Sequence, residues 1–142
     1  MGNFEKIDFL DDKNDIAIGK ISGYEKHFNS YSYAVVAIGN PDLRLRLISK
    51  LEETGYAIPV LVHPTTYISP DAQITDGSII EPMAVAHTGC VISKACIISA
   101  GAVINHGAVC SEGCHIDCNA TVMGNVVVLP KTHLLCGEVF KK

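Results

Sequence analysis

The chain has 142 residues, of which 48% are hydrophobic and none is tryptophan, a composition that suits one aliphatic core or two small ones. Its formal net charge of −4, without runs of Lys or Arg, argues against nucleic acid or an acidic membrane surface as the main partner. Its apolar runs are shorter than the roughly 20 residues that span a bilayer, and the N-terminus lacks the apolar stretch of a signal peptide. The sequence therefore predicts a cytoplasmic protein, without membrane insertion, that handles small molecules.

The first third of the chain predicts two short strands. Residues 4–10 are expected to form a strand that ends at the turn residues Asp11 and Asp12. Residues 33–38, YAVVAI, are expected to form a buried strand that ends at Gly39.

A helix with clear boundary signals follows the second strand. Asn40 is the expected N-cap, Pro41 occupies the first helical position, and Gly55 stands after the end. Residues 58–62 are expected to form the next strand, which completes a βαβ unit. The sequence therefore predicts a small, partial α/β domain of Rossmann-like type over residues 1–62.

A strict period of six residues characterises the rest of the chain. From Ile68 to Phe140 an apolar residue stands at every sixth position, and a mostly small residue stands two places before it. This period is typical of a short strand and a turn repeated, with three such units in each coil of about 18 residues. Residues 63–142 are therefore predicted to form a left-handed parallel β-helix, whose coils lie roughly 4.8 Å apart.

The register of the repeat also decides how the six cysteines are interpreted. Four of them fall on inward or corner positions: Cys90, Cys96, Cys110 and Cys114. They are expected to be small buried hydrophobic residues, and the chain has no CxxC pair, so no metal site is predicted. Cys118 and Cys136 lie one coil apart on the same outward row and are expected to be able to approach each other.

The outward positions beside the inward aliphatic residues predict self-association. Many of them are apolar: Ile79, Val85, Val91, Ile97, Val103, Val109 and Val127. A monomer would expose these side chains as continuous stripes, which soluble monomers rarely do. The sequence therefore predicts a homotrimer packed along the axis of the prism.

Six segments, taken in chain order, resemble one known family: FLDDK, VVAIGNPDLR, LEETGY, LVHPTTYISPDA, INHGAV and CHIDCNATVMGNV. The family is that of the bacterial sugar-nucleotide acetyltransferases, hexapeptide-repeat acyltransferases that include sialic acid O-acetyltransferases and UDP-4-amino-sugar N-acetyltransferases. The resemblance covers most of the chain. It implies a homotrimer in which acetyl-CoA, the co-substrate, lies in the groove between adjacent β-helices, while the N-terminal domain holds the nucleotide end of a nucleotide-sugar acceptor.

The resemblance also implies roles for residues of the β-helix. His106 matches the general base that takes a proton from the acceptor amine or hydroxyl, a role that suits a group titrating near neutral pH. His115 matches a position that contacts the acetyl group or the thioester, and Gly124 matches a small residue near the cofactor. The acidic partner usual beside the base is absent, since Asn105 and Gly107 flank it, so the base is expected to be weaker or supported from elsewhere.

Four residues of the N-terminal domain are expected to bind the substrate. Asp11 and Asp12 fall where relatives contact the nucleotide base or ribose. Gly39 and Asn40 follow a predicted parallel strand, whose carboxyl end is the usual ligand crevice of α/β sheets. A turn and a helix cap explain some of these residues equally well.

Two departures from the family leave the activity open. Members begin with a further strand and a glycine-rich turn of GxxGHG type and continue for several more coils, whereas here the repeat weakens after Val128. The chain therefore resembles the middle of such an enzyme, and the alternative function is a non-catalytic trimeric remnant that binds nucleotide or serves as a scaffold. A zinc hydrolase of the γ-class carbonic anhydrase type would need three converging histidines, a pattern that His106 and His115 do not reproduce.

Overall fold

A computed structural model describes residues 4–142 of the chain. A 3₁₀ helix spans Ile21–His27 and an α-helix, α1, spans Pro41–Thr54. The strands of this described part follow α1, and each is two residues long. They are β1 (Leu61–Val62), β2 (Tyr67–Ile68), β3 (Gln73–Ile74), β4 (Ile79–Ile80), β5 (Val85–Ala86), β6 (Val91–Ile92), β7 (Ile97–Ile98), β8 (Val103–Ile104), β9 (Val109–Cys110), β10 (His115–Ile116), β11 (Thr121–Val122), β12 (Val127–Val128), β13 (His133–Leu134) and β14 (Val139–Phe140).

The strands form a parallel β-solenoid of about four coils, as the sixfold period predicts. Each strand pairs in parallel with the strand one coil further on, so that Leu61 lies beside Ile79. The pairing gives three sheets: sheet 1 (β1, β4, β7, β10, β13), sheet 2 (β2, β5, β8, β11, β14) and sheet 3 (β3, β6, β9, β12). This three-sided arrangement is consistent with the left-handed β-helix expected from the sequence.

Side chains from two positions of each six-residue repeat fill the interior of the solenoid. The second residue of most strands points inwards, and Ile92, Ile104 and Ile116 are fully buried. Most of the small residues two places earlier are fully buried as well, among them Ala102 and Ala108. Full burial of one such aliphatic side chain contributes roughly 1.5–3 kcal/mol, so each coil is stabilised mainly by the apolar residues it stacks on its neighbours.

The same interior holds four cysteines, as expected from their register. Cys90, Cys96, Cys110 and Cys114 are all fully buried. The thiol of Cys96 donates to the carbonyl of Ser111. Burial raises the pKa of Cys90 and of Cys110, so these thiols remain protonated at neutral pH. They pack as small apolar groups.

The corners between strands recur every six residues and require a left-handed backbone. One residue at each corner from position 77 onward has a positive φ: Gly77, Met83, Gly89, Ala95, Gly101, Gly107, Gly113, Asn119, Asn125, Lys131 and Gly137. Glycine and asparagine fit this conformation at least cost, which explains their frequency there. The stacked corners form three edges of the prism: edge A between sheets 3 and 1, edge B between sheets 1 and 2, and edge C between sheets 2 and 3.

Helix α1 begins and ends where its boundary signals predict. The side chain of Asn40 accepts a hydrogen bond from the Leu43 amide at 2.9 Å, and Pro41 is the first helical residue. Gly55 ends the helix with φ 108°, and its amide donates to the carbonyls of Leu51 and Glu52. The prediction of the helix is confirmed.

Helix α1 packs along edge A of the solenoid. Ile48 is fully buried and fills the space above Gly77, where an added Cβ would lie 2.7 Å from its Cδ1 atom. Salt bridges flank this contact, from Lys131 to Asp42 at 2.6 Å and from Lys94 to Glu52 at 2.6 Å. The helix therefore lies lengthwise against several coils.

The strands predicted before the helix are not formed in the described residues. Around residues 4–10 the chain makes a local loop, in which Ile18 donates to the carbonyl of Phe9 and Asp11 to that of Gly19. Residues 33–38 contribute only one parallel bridge, between Tyr33 and Ala57. The prediction of a strand at residues 4–10 is therefore wrong, and the βαβ unit is reduced to that bridge.

The physical reason is a competition for backbone groups. The carbonyls of Ile38 and Gly39 accept hydrogen bonds from Arg44, at 2.7 Å and 2.9 Å, instead of a neighbouring strand. Residues 61–62, expected to close the βαβ unit, form β1 and pair with β4 in the solenoid. The Rossmann-like sheet is consequently not confirmed. Within residues 4–142, neither helix has the length and apolarity needed to cross a bilayer.

Candidate functional site

His106 lies on edge C, in the corner between β8 and β9, with its side chain exposed. Its backbone is held by the solenoid ladder, because its carbonyl accepts from the Asn125 amide at 2.9 Å. The next residue, Gly107, has φ 63° and donates to the carbonyl of Thr88 at 3.0 Å. The corner thus presents an imidazole to solvent from a rigid backbone.

The ring of His106 lies against Gly124, the residue one coil further on. A Cβ atom at Gly124 would lie 2.6 Å from Nε2 and 2.7 Å from Cε1 of His106, closer than such atoms can approach. The lack of a side chain at Gly124 is therefore what allows the ring its position. The structure brings together two of the residues that the sequence suggested.

Neither residue next to His106 in sequence offers its ring an acidic partner. The side-chain amide of Asn105 donates to the carbonyl of Val122 at 3.0 Å, which ties it to the next coil. A side chain at Gly107 would collide with the amide oxygen of Asn125 and would require the left-handed backbone as well. Within residues 4–142, the immediate neighbours of His106 in sequence provide no carboxylate for its ring.

His115 lies on sheet 1, half-buried, where its environment keeps the ring neutral. Its Nε2 atom is 3.2 Å from the hydroxyl of Ser99, and its ring stacks on that of His133, with centroids 4.6 Å apart. Burial, followed by the nearby His133, lowers the pKa of His115. A neutral imidazole offers one donor and one acceptor nitrogen, which suits contact with an uncharged thioester.

The two histidines lie on opposite sides of one prism. His106 is on edge C, between sheets 2 and 3, whereas His115 is on sheet 1, the face opposite that edge. The packed interior of the solenoid separates them. One chain therefore does not bring them to one reacting group, and a shared site needs two chains.

A cavity of about 540 Å³ lies between the N-terminal segment and helix α1. Its lining is largely apolar and aromatic, with a few polar side chains: Phe4, Lys6, Ile7, Asp8, Phe9, Leu10, Asp11, Ile18, Ile21, Tyr24, His27, Tyr31, Tyr33, Ala34, Val35, Val36, Ala37, Ile38, Leu47, Leu51, Tyr56 and Leu61. This volume and lining are typical of small-molecule sites.

Asp11 and Asp12 have different positions relative to this cavity. Asp11 is part of the lining, although its Oδ1 atom already accepts from the amides of Lys13 and Asn14. Asp12 accepts from the Ile21 amide at 3.0 Å, which fixes the start of the 3₁₀ helix, and it does not line the cavity. Gly39 and Asn40 are exposed beyond the end of the lining segment, and Asn40 serves as the cap of α1.

Arg44 is a key residue that the sequence analysis missed. Its guanidinium is fully buried and donates to four carbonyls, those of Ala95, Ile38, Gly39 and Gly113, at 2.7–2.9 Å. Burial lowers its pKa. It joins the loop at Gly39 to edge A of the solenoid. The sequence feature that could have revealed Arg44 is its place, as a charged residue, on the apolar face of the helix, four residues before Ile48.

Together, the sixfold solenoid and an exposed histidine at its edge agree with the hexapeptide-repeat acyltransferase fold that the sequence resembles. Among solved structures, the chain is similar to the acetyltransferase domain of PglB from Neisseria gonorrhoeae FA1090, with TM-score 0.79 and 26% identity over 97% of this chain and 77% of that domain. It is equally similar to that domain in complex with acetyl coenzyme A, with TM-score 0.77 and 25% identity over 97% of this chain and 76% of that one. No family model matches the chain.

A more distant likeness concerns the fold alone. WeeI from Acinetobacter baumannii AYE matches with TM-score 0.52 and 16% identity over 91% of this chain and 72% of that one. The resemblance inferred from the sequence is confirmed by the two structures of the PglB acetyltransferase domain from Neisseria gonorrhoeae FA1090. They support an acetyltransferase, and the complex with acetyl coenzyme A agrees with the expected co-substrate.

Proposed function

We propose that the chain transfers an acetyl group from acetyl-CoA to an amino or hydroxyl group of a nucleotide-linked sugar. The observation that carries this proposal is the exposed imidazole of His106, which lies over Gly124 at an edge of the solenoid. The likeness to an acetyltransferase domain that binds acetyl coenzyme A supports it. In this proposal the solenoid is a left-handed β-helix, and residues 63–142 carry the chemistry.

His106 acts as the general base. As the acceptor nitrogen or oxygen attacks the carbonyl carbon of the thioester, a ring nitrogen of His106 takes the proton from the acceptor. The carbon–sulfur bond then breaks, and the same proton passes to the departing sulfur of coenzyme A. The histidine ends the cycle as it began it, and the acetyl group is bound to the acceptor.

Gly124 and His115 assist from either side of the transferred acetyl group. Gly124 leaves the space that the His106 ring occupies, and so sets the position of the base. His115 remains neutral because burial lowers its pKa, so its ring can donate a hydrogen bond to the thioester without repelling an imidazolium at His106.

Because His106 and His115 lie on opposite sides of one prism, the active form needs more than one chain, and we assign it to the homotrimer that the sequence resemblance implies. His106 of one chain faces His115 of its neighbour across a groove in which acetyl-CoA lies. Apolar outward residues on the sheets, among them Val127 at 55% exposure and Val139 at 47%, support such packing.

The acceptor is held by the N-terminal domain, residues 1–62. Its cavity of about 540 Å³ offers aromatic rings such as Tyr31 and Tyr33 for stacking on a nucleotide base. Asp11 lines this cavity, and we assign it to the base or ribose. Asp12, Gly39 and Asn40 are the further proposed substrate residues, and they lie outside the lining of the cavity.

The first experiment measures acetyl transfer directly. The purified chain is incubated with acetyl-CoA and nucleotide-linked sugars that carry a free 4-amino or 4-hydroxyl group, and acetylated product is detected by mass spectrometry. His106→Ala should lower the rate by roughly 10²- to 10⁴-fold and leave acetyl-CoA affinity, measured by calorimetry, nearly unchanged. The matched control is His87→Ala, another exposed histidine on an adjacent coil, which should keep the rate.

Two results would contradict the proposal. Equal rates for the parent chain and His106→Ala would reject His106 as the base. Binding of acetyl-CoA or nucleotide without transfer to any acceptor would favour the scaffold function that the sequence left open.

A further inference from the structure

Edge B carries a group of metal-binding side chains away from His106. Asp117 and Cys118 lie in the corner between β10 and β11, and Cys136 lies in the equivalent corner one coil later. A carboxylate oxygen of Asp117 and the sulfur atoms of Cys118 and Cys136 all lie within 4.8 Å of one another. Bound to one ion, such atoms are separated by roughly 3–4 Å, which the side chains can reach by small rotations.

A nitrogen ligand stands beside this group. Nε2 of His133 is 3.5 Å from the Oδ2 atom of Asp117, and the side chain of His133 is half exposed. Its ring is held by stacking on His115, with an interplanar angle of 10°. Two sulfurs and one oxygen thus lie together at edge B, and a nitrogen stands beside the carboxylate of this group.

These two cysteines differ from the other four in accessibility. Cys118 is partly buried and Cys136 is exposed, whereas Cys90, Cys96, Cys110 and Cys114 are all buried in the solenoid interior. Packing explains the four buried thiols, but it does not explain a pair of cysteines that reach solvent one above the other beside a carboxylate.

We propose that Asp117, Cys118 and Cys136, with His133 as the fourth ligand, bind one divalent ion of the zinc type. Four ligands of mixed sulfur, nitrogen and oxygen character are what zinc prefers in tetrahedral sites, whereas Mg²⁺ and Ca²⁺ select oxygen alone. On binding, each thiol gives up its proton to solvent and forms a metal–sulfur bond, and no atom is oxidised or reduced. The ion would join the corners of two successive coils.

The site is structural, and it lies beside His115, which the proposed function places at the thioester. It fastens the corner between β13 and β14 to the coil before it. It also holds the His133 ring against His115, so that metal binding couples to the stability of sheet 1. The site does not include His106 or Gly124.

The test is a titration of the reduced, metal-free chain with Co²⁺, followed by displacement with Zn²⁺. We expect one Co²⁺ per chain, with the sulfur-to-cobalt charge-transfer band and the intense visible bands of a tetrahedral site. Cys118→Ser and Cys136→Ser should each weaken binding by at least roughly 10²-fold, and His133→Ala by about 10-fold. Glu112→Gln, which removes an exposed carboxylate from another edge, is the matched control and should bind Co²⁺ like the parent.

Circular dichroism of each metal-free variant shows whether the solenoid is intact, so that loss of binding is separated from loss of fold. The proposal is overturned if Cys118→Ser and Cys136→Ser bind Co²⁺ with the parent's affinity and spectrum. It is also overturned if the reduced chain binds no Co²⁺ and the two thiols only form a disulfide on oxidation. An unchanged affinity in His133→Ala would remove His133 from the ligand set.

Discussion

The contact between His106 and Gly124 is the residue-scale feature on which the proposed chemistry depends. The ring rests where a Cβ would otherwise be, 2.6 Å from Nε2. The backbone of Gly124 is not left-handed, so the reason for glycine there is space and not conformation. The position of the base is thus controlled by the coil beneath it.

Gly124→Ala tests this control. The added methyl group must displace the imidazole, and a displacement of about 1 Å costs up to roughly 10²-fold in rate when the displaced group performs the chemistry. We expect kcat to fall while the unfolding midpoint in urea changes little. Gly23→Ala, where an added Cβ meets open space, is the control and should retain the parent's kcat. A Gly124→Ala enzyme as fast as the parent would refute the positioning role.

The lowered pKa of His115 predicts that the free energy of unfolding depends on pH. In the unfolded chain a histidine has a pKa of about 6.5, and burial lowers this value in the folded state. Between the two values the unfolded chain binds more protons, so the free energy of unfolding rises with pH through the window below about 6.5 and is level above it for this group. The charged groups around it are Asp117, Glu81, Arg44 and His133.

Urea unfolding at a series of pH values measures the effect. The parent chain should lose stability as the pH falls through this window, and His115→Gln should flatten that part of the profile. The same slope in His115→Gln would mean that other groups cause the pH dependence.

At the scale of elements, helix α1 is fastened to the solenoid through Arg44. Its guanidinium satisfies the carbonyls of Ala95 and Gly113 on edge A as well as the loop before the helix. Removal of the guanidinium leaves buried carbonyls unpaired, each at a cost of about 1–3 kcal/mol. The contact therefore holds the cavity wall in register with the solenoid.

Arg44→Leu should reduce the free energy of unfolding by at least about 2 kcal/mol, measured by urea denaturation. Arg46→Leu, on the exposed side of the same helix, should change it by less than about 0.5 kcal/mol. Equal effects of the two substitutions would show that the buried hydrogen bonds contribute little.

The elements differ in how far the sequence could predict them. The solenoid and α1 depend on local signals, a period of six and a pair of caps, and both were predicted. A strand requires a partner, and the apolar run at residues 33–38 does not reveal that Arg44 takes its last carbonyls. The prediction of a strand at residues 33–38 failed for that reason.

The residues of the candidate site also differ in how far the sequence could predict them. The contact of His106 with Gly124 follows from a spacing of one coil, and so does the stack of His133 on His115. The sequence pattern alone does not show whether His133 belongs to a ligand site or to the surface. The nine residues from His106 to His115 are half a coil, so the period already places them on opposite sides. Arg44 could be found only through its position on the apolar helix face.

At the scale of the whole molecule, we propose an active site that is shared between chains. Sheet 1 and edge C cannot meet within one prism, and each carries one of the two histidines. A trimer allows edge C of one chain to face sheet 1 of the next. Sedimentation should then give a mass three times the 15.2 kDa of the chain.

Subunit complementation tests this claim most directly. Chains that carry His106→Ala and chains that carry His115→Ala are co-expressed with different tags, and assemblies that contain both are purified and assayed for acetyl transfer. Each variant alone should be impaired, whereas mixed assemblies should recover part of the activity, because one interface then joins an intact His106 to an intact His115. Mixed assemblies of trimeric mass that remain as impaired as the separate variants would contradict a site shared between chains.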